Sequence, residues 1–300
     1  MKKSIPKLIV LLGPTATGKS EMALRLAKKF NGEIVSADSR QIYKELEIGT
    51  AKPKDLKKIP HYLIDKIRPD KEFNAALFKK AAIRTIRNIQ KRERIPFLVG
   101  GTGLYIKAVV DNIRFPKVPA DNKLRKSLEK TDLMTLYQIY KKIDPQGAKL
   151  IDKKNKRRLV RAIEVCRLTG DPFWQQRKKD APLFDVLQIG IRLPKYLLIS
   201  NIRKRVENMF QQGLEKEAKY LIEKYGNIPP LDTIGYREWK GYFENKINKE
   251  EVKELIISHT NKFARRQMTW FKKDKAIHWI RNIKDAEKLI NKFLKQNTPS

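Results

Sequence analysis

Leu8-Ile9-Val10-Leu11-Leu12-Gly13-Pro14-Thr15-Ala16-Thr17-Gly18-Lys19-Ser20 is an apolar run that breaks into G-x-x-x-x-G-K-S. The run reads as a buried strand, and the pattern after it as a loop able to wrap a diphosphate. Gly13 and Gly18 let the backbone curl so that successive N–H groups point inward. Lys19 sets a cation over the outer phosphate, and Ser20 offers a hydroxyl to Mg²⁺. The helix expected from near Ser20, beginning Glu21-Met22-Ala23-Leu24-Arg25-Leu26, adds its positive N-terminal end. Strand, loop and helix in this order make the chain a binder of a phosphorylated ligand.

Outward from this stretch the same alternation continues. Gly32-Glu33-Ile34-Val35-Ser36-Ala37-Asp38 reads as a second buried strand ending on a carboxylate, and a helical pattern runs from Ala75 to Ile89. Pro96-Phe97-Leu98-Val99 reads as a third strand, terminating in Gly100-Gly101-Thr102-Gly103-Leu104-Tyr105. Short apolar runs separated by helices of this length predict right-handed crossovers and an α/β fold, a P-loop three-layer core with a parallel sheet. Ligands bind at the carboxyl edge of such sheets, so Asp38 and Thr102 are expected to face the phosphate loop. From Arg114 the pattern becomes charged and helical with no clear strand, after the stiff connector Phe115-Pro116-Lys117-Val118-Pro119. The expected division is a catalytic core of 1–113 and 186–300, with 114–185 an inserted helical subdomain. A strand at Val186-Leu187-Gln188-Ile189-Gly190-Ile191 resumes the core. Amphipathic helices follow over Lys195 to Lys224 and Glu250 to Lys272, then a last strand, Ala276 to Ile280, and a Lys-rich terminal helix.

The 300 residues, 41% of them hydrophobic, suffice for a sizeable core. The 67 Lys and Arg against 33 Asp and Glu leave a formal net charge of +34, which attracts a polyanion such as RNA. Part of that excess is also what a genome-wide Lys bias would give. The lone Cys166 excludes an intrachain disulfide and a Cys-rich zinc site, and its spacing from Ala162 and Ile163 reads as a packed core thiol. His61, His259 and His278 show no metal-ligand spacing. Met1-Lys2-Lys3 and the apolar residues after it are too short for a signal peptide, and no segment is long enough to cross a bilayer. A cytoplasmic monomer is expected.

A hydrolysing P-loop motor needs an apolar strand ending in an acid and a residue that positions water. Here the third strand ends in Gly-Gly-Thr, and Asp38 is the strand-end acid near the loop. Its residue type allows three roles: outer-sphere metal ligand, general base on a nucleophile beside the bound phosphates, or helix cap. The loop itself could stabilise a departing diphosphate through the same N–H groups and Lys19.

Read in order, the loops carry Gly13 to Ser20, Ser36-Ala37-Asp38-Ser39-Arg40-Gln41-Ile42-Tyr43, Ile48-Gly49-Thr50-Ala51-Lys52-Pro53 and Pro60-His61-Tyr62-Leu63-Ile64-Asp65. Gly100 to Tyr105, Ile234-Gly235-Tyr236-Arg237-Glu238 and Arg265-Arg266-Gln267-Met268-Thr269-Trp270-Phe271 complete the set. This ordered set resembles the tRNA dimethylallyltransferase family, also called tRNA isopentenyltransferases, over nearly the whole chain. The resemblance implies a transferase of tRNA modification. Its donor would be dimethylallyl diphosphate rather than ATP, its acceptor N6 of adenosine 37 in the anticodon loop, and its ion Mg²⁺ at Ser20. It further implies that Asp38 takes the N6 proton, that Thr102 hydrogen-bonds in the same centre, and that Arg205 meets the diphosphate. Gly13, Pro14, Thr15, Ala16, Thr17, Gly18, Lys19 and Ser20 would hold that diphosphate. The tRNA-contacting residues expected are Asp38, Ser39, Gln41, Arg157, Arg158, Arg161, Arg265, Arg266 and Gln267. The basic run Lys153 to Arg158 with Arg161 would suit the anticodon stem, although a solvated helix face reads equally well. Because the target base begins within a loop stack, it must be turned out into the pocket.

The chain departs from the family pattern twice, with Asn201 and Asn261 where arginine is usual, and an asparagine replaces neither the charge nor the fork. The alternative reading is a P-loop small-molecule or nucleotide kinase with the basic insertion as a lid. A third is a non-catalytic RNA-binding protein on the same scaffold, against which Asp38 together with Thr102 speaks.

Overall fold

A computed structural model describes residues 5–53, 59–176 and 178–296. The first apolar run forms β1 (Lys7–Leu12), with Leu8 to Leu12 fully buried. It lies inside a six-stranded parallel sheet. In chain order the other strands are β2 (Gly32–Ser36), β3 (His61–Tyr62), β4 (Ile95–Gly100), β5 (Asp185–Ile191) and β6 (Ile277–Ile280). Across the sheet they run β3-β2-β4-β1-β5-β6, with β1 flanked by β4 and β5. A strand covered on both faces has no reason to alternate apolar with polar, which is why β1 reads as an unbroken hydrophobic run.

Alternate residues of β1 feed different cores. Ile9 and Leu11 meet Ala23, Leu26 and Ala27 of α1 (Lys19–Lys29) and Ala286, Ile290 and Phe293 of α12 (Ile283–Lys295). Leu8, Val10 and Leu12 join the larger cluster on the other face. Its helices are α2 (Ala75–Lys91), α3 (Gly103–Val110), α8 (Lys195–Gln211), α9 (Leu214–Tyr225), α10 (Trp239–Phe243) and α11 (Lys249–Phe271). Asn74 caps α2 by accepting the N–H groups of Ala76 and Leu77, and Asn248 with Glu251 forms a capping box on α11.

Three local expectations are corrected. A two-residue strand, β3, intervenes between the second and third expected strands; it is too short to show any periodicity. The second strand ends at Ser36, so Asp38 lies in the loop beyond it. The helical stretch expected over 195–224 is interrupted at Gly213, whose φ of 93° no ordinary side chain adopts readily, and so forms two helices.

The chain divides into two compact units, Met1–Val110 with Leu183–Ser300, and Asp111–Pro182. The second holds α4 (Asn122–Lys130), α5 (Leu133–Ile143), α6 (Pro145–Leu150) and α7 (Lys156–Thr169), each capped by an Asp or Asn side chain. Its own core joins Leu128, Leu136, Tyr140, Leu159, Ile163, Phe173 and the buried thiol of Cys166. No helix among the described residues is long and apolar enough to cross a membrane.

Candidate active site

The loop after β1 closes on itself as its composition requires. Gly13 has φ 150°, and a Cβ there would lie 2.9 Å from the Ile191 carbonyl oxygen. Gly18, at φ 81°, is the left-handed residue that opens α1. Across the turn, Thr17 donates its hydroxyl to the Pro14 carbonyl at 2.9 Å, and the Lys19 ammonium donates to the same oxygen. Burial first, and then the Arg205 guanidinium, bring the Lys19 ammonium down to about 7, while the Asp38 carboxylate pulls it up. The three charged groups therefore act on one another at the carboxyl edge of the sheet. Ser20, in the first turn of α1, is exposed.

Asp38 and Thr102 are brought to that edge by the ends of β2 and β4, which approach closely because Gly100 has no side chain. A Cβ there would lie 2.3 Å from the Ala37 carbonyl oxygen. The Thr102 N–H donates to that oxygen at 3.2 Å, and its Oγ1 accepts the Ser39 N–H at 3.1 Å. Asp38 Oδ1 accepts the N–H groups of Arg40 (2.8 Å) and Gln41 (3.3 Å), an Asx turn that orients the carboxylate. Oδ2 has no hydrogen-bond partner among the described residues and remains able to accept a proton. Asp38 is thus a turn residue with one carboxylate oxygen left over.

Arg205, on α8, is half-buried, and its guanidinium is brought below the usual arginine value by burial, against the pull of Asp38. One of its terminal nitrogens donates to the Thr50 carbonyl at 3.4 Å. One turn earlier on the same helix, Asn201 donates to the Ala16 carbonyl at 3.1 Å. The first departure from the family pattern therefore ties α8 to the phosphate loop instead of presenting a cation. Asn261, the second, bonds its own helix at Ile257.

The remaining candidates separate into those turned to solvent and those held by the protein. Arg265 and Arg266 lie exposed on α11, with the Arg266 guanidinium 5.8 Å from the centre of the Phe263 ring. Gln267 is buried: its Oε1 accepts the Thr15 N–H at 2.9 Å and its Nε2 donates to the Gly101 carbonyl at 2.9 Å. This side chain ties the phosphate loop to the loop that carries Thr102. Gln41 accepts from the Ser36 hydroxyl and donates to the carbonyls of Thr50 and Ala51. In the second unit, Arg161 donates to the Glu164 carboxylate and to the Val118 carbonyl. Burial alone would raise the Glu164 carboxyl, but the Arg125 and Arg161 guanidiniums hold it below the usual carboxylate value. Arg157 is exposed and Arg158 half-exposed. The motif residues Lys52 and Asp65 form an ion pair that fastens the 48–53 loop to the segment after β3. Sequence reasoning missed Glu217, whose carboxylate gathers three backbone N–H groups of that loop; among the many acids of an amphipathic helix it carries no distinguishing signal.

Comparison with known proteins matches residues 41–274 to the family model described as IPP transferase. A protein from Carboxydothermus hydrogenoformans named tRNA dimethylallyltransferase is 40% identical over 299 residues, covering 96% of each chain. The solved full-length tRNA isopentenylpyrophosphate transferase of Bacillus halodurans superposes with a TM-score of 0.71 at 34% identity, covering 96% of this chain and 95% of that one. A eukaryotic dimethylallyltransferase, solved in snapshots of its action on tRNA, superposes with a TM-score of 0.81 at 26% identity, covering 98% of this chain and 82% of its own.

Proposed function

The chain belongs to the IPP transferase family, and from that membership and its site we infer that it transfers a dimethylallyl group from dimethylallyl diphosphate to N6 of adenosine 37 in tRNA, releasing diphosphate. The observation that carries this reading is the convergence of the phosphate loop, Lys19, Arg205, Asp38 and Thr102 at one sheet edge, with a carboxylate oxygen left to take a proton. A kinase is not favoured by the relatives, and the site offers a base in place of a water-positioning apparatus.

The reaction breaks the allylic C–O bond and forms a C–N bond, so charge develops on the leaving diphosphate while N6 loses a proton. Residues Gly13 to Ser20 would surround that diphosphate with backbone N–H groups, and Lys19 and Arg205 would neutralise it as it departs. An adenine amine is a poor nucleophile, and Asp38 Oδ2 would accept its proton as the new bond forms. Thr102, whose Oγ1 already accepts from Ser39, would donate its hydroxyl proton within the same centre. Holding both substrates at one edge makes the attack effectively intramolecular.

Among the described residues no group of three His, Cys, Asp or Glu side chains could hold a metal by itself. The exposed hydroxyl of Ser20, a hard oxygen donor, suits Mg²⁺ bound mainly through diphosphate oxygens. When bound, the ion supplies further positive charge to the leaving group. The tRNA would be met in the larger unit by the exposed Arg265 and Arg266 of α11 and the Asp38–Gln41 turn; in the other unit, Arg157 and Arg158 of α7 are candidates of their own. One chain supplies every residue of the chemistry, so we take the working form as a monomer, in the cytoplasm where tRNA is modified.

Mass spectrometry of tRNA nucleosides after incubation with dimethylallyl diphosphate and Mg²⁺ tests the reading. Prenylated adenosine should appear, and diphosphate release should require both substrates. ATP turnover without prenylated tRNA would establish a kinase or ATPase instead.

A further inference from the structure

Two sequence motifs, Ile48 to Pro53 and Ile234 to Glu238, take no direct part in the chemistry above, yet one carboxylate joins them. Glu217 on α9 accepts the N–H groups of Glu47 (3.3 Å) and Ile48 (2.9 Å) at Oε2 and that of Gly49 (3.0 Å) at Oε1. Tyr236, fully buried, donates its hydroxyl to Oε1 at 2.6 Å. Burial raises the Tyr236 phenol, and the Glu217 carboxylate raises it further, so it stays a donor. The approach is tight: a Cβ on Gly49 would lie 2.5 Å from the Tyr236 ring, and Gly235 at φ 102° lets the second motif turn against the first. The 235–238 turn is itself anchored, because buried Glu238 accepts the Gly235 N–H (2.9 Å) and the Arg237 Nε (3.0 Å) and lies 2.7 Å from His259 Nδ1 of α11.

The next residues of the clamped loop face the reaction centre. Thr50 accepts from Arg205 at its carbonyl, and the carbonyls of Thr50 and Ala51 receive the amide of Gln41. Among the described residues Arg205 forms no ion pair with a carboxylate; the Thr50 carbonyl is the hydrogen-bond acceptor that orients its guanidinium, which also feels the pull of Asp38. A carboxylate holding three consecutive N–H groups fixes a turn far more rigidly than loop packing alone, since each bond is charge-assisted.

We propose that Glu217, braced by Tyr236, is a positioning residue for the transfer: it locks the 47–50 turn so that the Thr50 carbonyl aims Arg205 at the diphosphate. The proposal rests on the reading of Arg205 as a diphosphate cation. It also gives Gly49, Gly235 and Tyr236 a role in two motifs that carry no reacting atom.

The test is a double-mutant cycle on the full chain, with single-turnover prenylation rate, tRNA affinity and thermal unfolding measured for each variant. Glu217→Gln keeps the side-chain volume but turns an amide NH₂ toward backbone donors. Its rate should fall about tenfold to a hundredfold with tRNA affinity unchanged, and Tyr236→Phe should lose less. In an Arg205→Ala background, Glu217→Gln should cost nothing further, because the group it positions is gone. Multiplicative losses with a slow Arg205→Ala enzyme would overturn the proposal alone and leave Glu217 a plain structural brace. A full-rate Glu217→Gln enzyme would do the same. A full-rate Arg205→Ala enzyme would overturn both the proposal and the reading of Arg205. If Glu217→Gln does not fold, Tyr236→Phe carries the same cycle under the same criteria.

Discussion

Asp38 and Lys19 make opposite demands on protonation, and each can be tested alone. Asp38→Asn keeps the Asx turn, since an amide oxygen still accepts from Arg40 and Gln41, but it removes the base. The chemical step should slow by about a hundredfold or more while dimethylallyl diphosphate still binds. A normal single-turnover rate in this variant would reduce Asp38 to its turn. Lys19 is brought to about 7, so above that pH much of it is neutral until a diphosphate restores its charge. Binding at pH 8 should therefore draw in a proton that binding at pH 6 does not, read by calorimetry in buffers of different ionisation enthalpy. Lys19→Met should abolish the difference and weaken diphosphate capture. The sign extends to stability. The unfolded chain keeps the lysine proton up to its ordinary value of 10.5, so Lys19 makes the fold more stable as pH rises from about 7 toward 10.5.

Helix α7 shows why charge in a sequence does not identify an RNA contact. The run Lys153 to Arg158 with Arg161 reads as one basic face, but Arg161 donates to Glu164 and Val118 within its own unit. Arg157→Ala with Arg158→Ala should weaken tRNA binding and flatten its salt dependence by about one to two released counterions. An unchanged salt slope would move the RNA site away from α7. Arg161→Ala should instead lower the melting temperature, because the fully buried Glu164 keeps one cation, Arg125, beside the Asp121 N–H, at a cost of about 1–3 kcal/mol. Elements such as β1, α1 and β4 were legible because their signals are local: an apolar run, a glycine turn, a helical period. The Gly13–Ser20 loop and the place of Thr102 just past β4 were legible on the same grounds, whereas Asp38 was expected on a strand end and lies beyond it. Gln267 and Glu217 were not legible in the roles they fill, since each serves backbone groups far away in the chain: Gln267 holds Thr15, 252 residues earlier, and Glu217 holds Gly49, 168 residues earlier. The break at Gly213 was not read from the sequence, and its left-handed backbone reveals it.

At the scale of the whole molecule, a single sheet edge collects the residues proposed to hold the diphosphate, while the excess of positive charge is spread over the chain. A net charge of +34 supports two readings: an electrostatic footprint for tRNA, or a compositional excess of lysine with no ligand. Salt separates them. If cations such as Arg157, Arg158, Arg265 and Arg266 each meet a phosphate, tRNA binding releases that many condensed ions, and affinity should fall by about a hundredfold or more between 50 and 200 mM salt. Dimethylallyl diphosphate, if held by the half-buried Lys19 and Arg205, should lose far less over the same range, because partly buried charges are screened less than exposed ones. Filter binding for tRNA and calorimetry for the diphosphate, across one salt series, give the two slopes. Parallel shallow slopes would mean that the surface charge is not organised for RNA, and that tRNA is recognised chiefly by the base turned into the Asp38 pocket.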